Sequence, residues 1–296
     1  MRDRICMVTG ANVGIGKVTA LELARMGATV VMVCRNKEKG EKAAGEITKS
    51  TGNGNVHLIT GDLSSQREIR DIAAKYKEEF GALHVLVNNA GGLVPTRQLS
   101  VDGIEMTFAV NHLGYFFLTN LLLELLVKSA PSRIVNVASS VHHYAKMDFD
   151  NLQGERKYRQ FQAYALSKLE NVLFTYELAR RLDGTGVTAN CMEPGAVYSH
   201  FYNNSGFGLR LFASLFGWTM RTPEKGAETV IYLASSPEVE GVTGKYFKDK
   251  KELPSSGVSM DSVLSKRLWE LSERMTVLSL FRPERREVWF CWQSVV

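Results

Sequence analysis

Residues 5–16 read ICMVTGANVGIG. An apolar run leads straight into glycines at positions 10, 14 and 16, and a helical pattern begins among them. Glycines at this G-x-x-x-G-x-G spacing permit a tight turn. They also let the backbone approach a pyrophosphate at the N-terminus of the following helix. An ordinary glycine-rich strand-to-helix turn would carry the same residues. The position directly after the first strand of the chain favours nucleotide binding.

Outward from this turn, short β-branched runs alternate with longer helical patterns. ATVVMVC (28–34), NVHLIT (55–60), HVLVNN (84–89), RIVNVAS (133–139) and VTANCME (187–193) read as strands, with a seventh near GKYF (244–247). Helical stretches are expected near 14–26, 36–50, 66–80, 100–129, 160–182 and 222–235. The strand candidates are almost continuously apolar, as parallel strands covered on both faces are. The alternation predicts an α/β fold: a doubly wound, mostly parallel seven-stranded sheet with helices on both faces. No linker, repeat or low-complexity stretch divides the 296 residues, so a single domain is expected.

Composition narrows the function. Apolar content of 45% and charged content of 23% are those of a globular protein. The net charge of +5 is spread without a block of like charges, which gives no case for nucleic-acid binding. Cys6, Cys34, Cys191 and Cys291 show no metal-ligand spacing. They are expected to be reduced, as in a cytoplasmic protein. The first strand starts at Ile5, so neither a signal peptide nor an N-terminal anchor is expected. Residues 108–127, FAVNHLGYFFLTNLLLELLV, are long enough to span a bilayer but carry Asn111, His112, Asn120 and Glu124. Polar groups at that density are costly in hydrocarbon, so the segment reads as a buried helix.

Polar stretches recur just past the strand ends: NNAG (88–91), ASS (138–140) and EPG (193–195), with Asn111 in the helix after the fourth strand. In open parallel sheets ligands bind outside the carboxyl ends of the strands. The fifth helical stretch contains YALSK, residues 164–168. Tyr164 and Lys168, at i and i+4, share a helix face beside an apolar stripe of Ala165, Leu169, Val172, Tyr176 and Ala179. An ammonium beside a phenol favours the phenolate, so the pair suits proton transfer near neutral pH. His142 and His143, just past the fifth strand, read as solvated or structural.

Taken in order, T-G-x-x-x-G-x-G, N-N-A-G, the helix Asn, Ser, Y-x-x-x-K and P-G resemble the short-chain dehydrogenase/reductase superfamily over roughly residues 5–277. TGANVGIG, VNHLG, VNVASSVHH and YALSKLENVLF are most similar to its retinol-dehydrogenase-type branch. The resemblance implies a Rossmann-type fold and a catalytic tetrad of Asn111, Ser139, Tyr164 and Lys168. Tyr164 would act as general acid or base, Ser139 would hydrogen-bond the carbonyl oxygen, and Lys168 would lower the phenol pKa and hold the nicotinamide ribose. Asn111 would position a water that relays the proton. Implied cofactor contacts are Gly10, Asn12, Gly14, Ile15, Gly16, Asp62, Leu63, Asn89, Ala90, Gly91, Tyr164, Lys168, Pro194, Gly195, Val197 and Ser199.

NAD sites usually place an acid at the end of the second strand. Here VCRN puts Cys34 at that position and Arg35 after it, which suits a 2′-phosphate and predicts NADP(H) over NAD(H). Residues 198–220, rich in Phe, Leu and Trp, read as a substrate lid over a lipophilic alcohol, aldehyde or ketone, or as a helix packed on the core or on a partner subunit of a homo-oligomer. A steroid, a chlorophyllide-like pigment and a non-catalytic dinucleotide sensor remain alternatives. The dehydrogenase unit is expected over 1–278. The tail, 279–296, packs on a partner subunit, touches a membrane surface, or is an appended or altered reading-frame segment. Its VWFCW run is too short to span a bilayer.

Overall fold

The glycine turn sits where parallel strands converge. The computed structural model describes residues 1–197 and 220–276. Its strands are β1 (Ile5–Thr9), β2 (Thr29–Cys34), β3 (Val56–Thr60), β4 (Val85–Asn88), β5 (Ser132–Val137), β6 (Val187–Met192), β7 (Tyr246–Lys248) and β8 (Lys251–Glu252). Its longer helices are α1 (Gly14–Arg25), α2 (Lys37–Thr51), α3 (Gln66–Glu79), α4 (Met106–Lys128), α5 (Gln160–Arg181), α6 (Pro223–Ser235) and α7 (Ser262–Met275). The sheet order is β3-β2-β1-β4-β5-β6-β7-β8. β1 to β7 pair in parallel, as expected, and only β8 runs antiparallel. This short eighth strand was not anticipated; it follows a tight turn in which Asp249 and Lys250 both take positive φ, 50° and 63°. The strand order reverses between β1 and β4, which opens a crevice at their carboxyl ends.

Alternation along each strand divides the core between the two faces. From β1, Met7 joins Ile72 and Tyr76 of α3, Phe116 of α4 and Phe174 of α5. Cys6 and Val8 point the other way, to Leu23 of α1, Ile47 of α2 and Val230 of α6. Cys6, Cys34 and Cys191 are free and buried, as expected of reduced thiols, while Cys291 lies outside the described residues.

α4 is apolar and long enough to cross a membrane, yet Tyr115, Phe116, Phe117, Leu118, Leu122 and Leu126 are wholly buried in the protein core. Its residues Ala109–Leu113 are wound as a π turn, and Gly114 N–H reaches back five residues to Ala109 O. Such a turn places one residue outside the regular α ladder.

The stripe read on α5 is buried, but so is nearly everything else from Ala165 to Ala179. The reason is α7, a helix not anticipated from the sequence. Asp261 caps its first turn by accepting from Val263 and Leu264 N–H. Trp269 of α7 then inserts edge-on to Phe116 (4.9 Å between ring centres) and stacks on Phe174. Ser272 bonds His112 Nε2 at 2.8 Å. Burial pushes the His112 pKa down to about 3, so this imidazole is a neutral strut between α4 and α7.

One consequence of covering α5 on both sides is a trapped acid. Glu170 is 1% exposed, and neither carboxyl oxygen has a hydrogen-bond partner among the described residues. Burial first, and the nearby Glu105 second, raise its pKa well above the usual carboxylate range. A raised carboxyl pKa leaves stability intact below the unfolded pKa and erodes it above, by about 1.4 kcal/mol per pH unit until the folded pKa is reached. Glu170→Gln is therefore expected to stabilise the fold, with a larger gain in Tm at pH 8 than at pH 5. Equal gains at both would show that Glu170 does not titrate on unfolding.

Candidate active site

The glycine turn is braced by β4. Thr9 Oγ1 accepts from Asn89 N–H at 2.9 Å and Ala90 N–H at 3.0 Å, and Asn89 Nδ2 donates to Thr9 O at 2.8 Å. A Cβ at position 16 would stand 2.4 Å from Asn89 Nδ2 and from Gly10 O, so Gly16 is needed for this close approach. Gly10 and Gly14 take φ of +64° and +58°, the left-handed region that the turn requires. The Asn89 side chain is thus spent on holding the loop. The N-cap of α1, Val13, makes no side-chain capping bond. Helix first-turn N–H groups without a cap are donors for a phosphate, and this end of the site fits a dinucleotide. Asn12 and Ala11 offer their N–H groups to the buried Cys34 thiol, whose pKa burial pushes up to about 11. Ile15 and Val197 both pack at Gly226, which joins the glycine loop to the segment after β6.

At the adenosine end, Arg35 follows β2 and is largely exposed. Its guanidinium lies 3.6 Å from the Asp62 carboxylate beyond β3. Asp62 also accepts from Ser64 N–H at 2.9 Å. Leu63 is buried, and its carbonyl packs where α4 passes at Gly114.

At the other end, α5 presents Tyr164 and Lys168. The Lys168 ammonium is 2.9 Å from Val137 O, 5.6 Å from the Tyr164 ring centre and 5.9 Å from that of Tyr115. Only 3% of Lys168 is exposed, and burial lowers its pKa from 10.5 to about 7. Gly91 comes close to this centre: a Cβ there would be 3.2 Å from Asn111 Oδ1 and 3.7 Å from Lys168 Nζ. Asn111 is itself fully engaged. Its Oδ1 accepts from Gly92 N–H at 2.8 Å, and its Nδ2 donates to Gly92 O at 2.9 Å and to Ser167 Oγ at 3.0 Å. The side-chain amide of Asn111 is thus committed within the site.

Ser139 lies just past β5 and caps the short 3₁₀ turn Ser140–Tyr144, which packs against α5. His142 is buried and structural, while His143 is exposed. After β6, Gly195 takes φ of +77° and lies against Arg221, whose guanidinium pairs with Asp249 at 2.9 Å. Arg221 N–H closes the segment by donating to Ala196 O. Pro194 precedes this turn and Val197 is buried beyond it. Ser199 and the lid expected over 198–220, except Met220, lie outside the described residues, as does the tail.

Beneath the site runs a buried amide chain that sequence reading did not single out. Asn88 Nδ2 donates to Thr119 Oγ1 and to Asn136 Oδ1, and Asn136 Nδ2 donates to Thr175 Oγ1 at 2.9 Å. Its trace in the sequence is an Asn interrupting each of two apolar strands. A separate cavity of about 540 Å³ opens at the amino ends of the strands, lined by Arg4, His84, Arg133, Asp183 and Glu240. None of the expected site residues lines it.

Comparisons with known proteins show the family and the fold. The short chain dehydrogenase family model matches residues 4–206. Retinol dehydrogenase 11 of Homo sapiens is 46% identical over 269 residues, covering 91% of this chain and 84% of the relative. Retinol dehydrogenase 14 of Homo sapiens is 43% identical over 294 residues, covering 94% and 88%. Among solved structures, an uncharacterised protein from Mycobacterium paratuberculosis superposes with a TM-score of 0.75 at 32% identity, covering 93% of this chain and 94% of that one. RhlG of Pseudomonas aeruginosa, in an NADP active-site complex, gives 0.67 at 26% identity, covering 88% and 98%.

A lysine whose folded pKa is depressed destabilises the fold while protonated. Stability then rises as pH climbs from the folded value, about 7, toward the unfolded 10.5. Lys168→Met should accordingly stabilise the chain by on the order of a few kcal/mol at or below pH 7. The gain should shrink toward pH 10. Denaturant unfolding at pH 6 and pH 9 tests this, and a gain independent of pH would contradict it.

Proposed function

The chain belongs to the short chain dehydrogenase family and is an oxidoreductase of alcohol and carbonyl groups, and we propose that it interconverts a lipophilic alcohol and its aldehyde or ketone with NADP(H). The observation that carries the reading is the Tyr164–Lys168 pair, set beside Gly91 at the carboxyl ends of β4 and β5. Family membership implies a nicotinamide dinucleotide, and the uncapped start of α1 and the crowded Gly16 fit one.

A nicotinamide held there would supply or accept the hydride at carbon. Tyr164 gives its phenolic proton to the carbonyl oxygen in reduction and takes it back in oxidation. Lys168 stabilises the phenolate when it forms; moving a phenol from about 10 to neutrality requires roughly 4 kcal/mol. An amine with pKa near 7 can pass a proton as well as hold a charge there. Ser139 donates to the carbonyl oxygen as charge develops on it. Among the described residues its Oγ is held by a 3.4 Å contact from Val141 N–H. Asn111 fixes the Gly92 backbone and Ser167, and so the edges of the site.

Arg35 supports the NADP(H) preference: an exposed guanidinium at the end of β2, with Asp62 orienting it, offers a charged fork to a 2′-phosphate. The relatives named retinol dehydrogenase support an apolar substrate. We assign this activity to residues 1–278 as one unit.

Two measurements test the reading. With NADPH and retinal or a long alkanal as substrate, Tyr164→Phe should lose roughly 10²–10⁴-fold in kcat while still binding cofactor. A variant that keeps most of the rate would refute the role of the phenol. The wild type should use NADPH better than NADH in kcat/KM, and Arg35→Ala should narrow that gap by roughly tenfold or more. Equal use of both cofactors by the wild type would count against the assignment of Arg35.

A further inference from the structure

The end of β5 is held by a residue outside the tetrad. His142 is fully buried, and both of its ring nitrogens are committed. Nδ1 lies 2.7 Å from Ser139 O, and Nε2 lies 3.1 Å from Ser256 N. A backbone N–H can only donate, so Nε2 is the acceptor and the proton sits on Nδ1, which donates to the Ser139 carbonyl. His142 N–H bonds the same carbonyl at 3.1 Å. The ring packs on Tyr246 of β7 at 4.9 Å and beside His143 at 4.1 Å, with Glu193 nearby. Burial lowers the His142 pKa and holds the imidazole neutral, which the acceptor role of Nε2 requires.

Ser139 needs such a hold. Its hydroxyl has one long contact, 3.4 Å from Val141 N–H, so its direction follows from the backbone that carries it. That backbone is pinned through its carbonyl by His142, and His142 is pinned in turn by residue 256, over a hundred positions along the chain.

We propose that His142 is a positioning residue for the reaction: by bridging the Ser139 carbonyl and the Ser256 N–H, it sets the direction in which the Ser139 hydroxyl meets the reacting oxygen. The inference rests on the role given to Ser139 above. The two side chains that imitate halves of an imidazole separate the two bonds. His142→Asn can keep an N–H on the Ser139 carbonyl, and His142→Gln can keep an acceptor for Ser256.

The experiment is a double-mutant cycle in kcat, with NADPH affinity measured by fluorescence titration for each protein. Ser139→Ala should lower kcat by roughly 10²–10³-fold, as loss of a donor to a developing oxyanion does. His142→Ala should lower kcat by roughly tenfold or more and leave NADPH affinity within about twofold; in the Ser139→Ala background the same change should add little, because coupled residues are not additive. His142→Asn should recover part of the rate, and more of it than His142→Gln. Additive losses, or a large fall in NADPH affinity, would overturn the proposal while leaving the role of Ser139 standing. A Ser139→Ala protein with the wild-type rate would remove that role and the proposal with it. If His142→Ala does not fold, the Asn and Gln variants decide: better retention in Gln than in Asn overturns the proposal.

Discussion

A lysine ammonium taken out of water constrains the whole site. Lys168 is almost wholly buried on α5, with Val137 O as its one hydrogen-bond acceptor among the described residues and two phenol rings as its remaining company. Such a charge is costly to bury, and its pKa falls to about 7. The rings of Tyr115 and Tyr164 return part of that cost, about 0.5–2 kcal/mol for a well-placed cation–π contact. The position of Val137 O depends on β5, and that of the amine on α5. The site is as sharp as the docking of that helix on that strand.

Rigid side-chain struts provide the docking. Asn88, Asn136 and Thr175 cross from β4 through β5 to α5, and Thr9 with Asn89 ties the glycine turn to the end of β4. Asn111 grips both polar groups of the Gly92 backbone and reaches Ser167 on α5. Each is an amide or hydroxyl with a committed partner, all buried but the half-buried Asn89, and leaving buried groups of this kind unpaired costs about 1–3 kcal/mol. They hold loops at the carboxyl ends of the strands that have few apolar contacts of their own. Asn89 and Asn111 serve as braces with their side-chain amides.

The far side of α5 carries a different chemistry. α7 lays Leu268 and Trp269 over it, and His112 and Ser272 tie it to α4. Covering α5 so fully traps Glu170 without a partner among the described residues, a local conflict between sequence and fold of the kind that lowers stability without touching the site.

The order of strands and helices was legible in the amino-acid sequence, because parallel strands buried on both faces are continuously apolar and glycine turns carry fixed spacings. The pairing of Tyr164 with Lys168 was legible too, because both lie on one helix and i,i+4 spacing is local geometry. What the sequence could not decide were the partners brought from a distance. That Lys168 bonds Val137 O, that the Asn111 amide is already spent on Gly92, and that His142 spans Ser139 and Ser256 all depend on contacts between separate elements. α7 lay between: Asp261 and the spaced Leu264 and Leu268 mark a helix, yet nothing local says that it will close over α5. Local spacing determines which groups share a face. Only the packing of helix on sheet decides which of those groups are desolvated, and desolvation is what sets the charge of Lys168 and commits the ring nitrogens of His142.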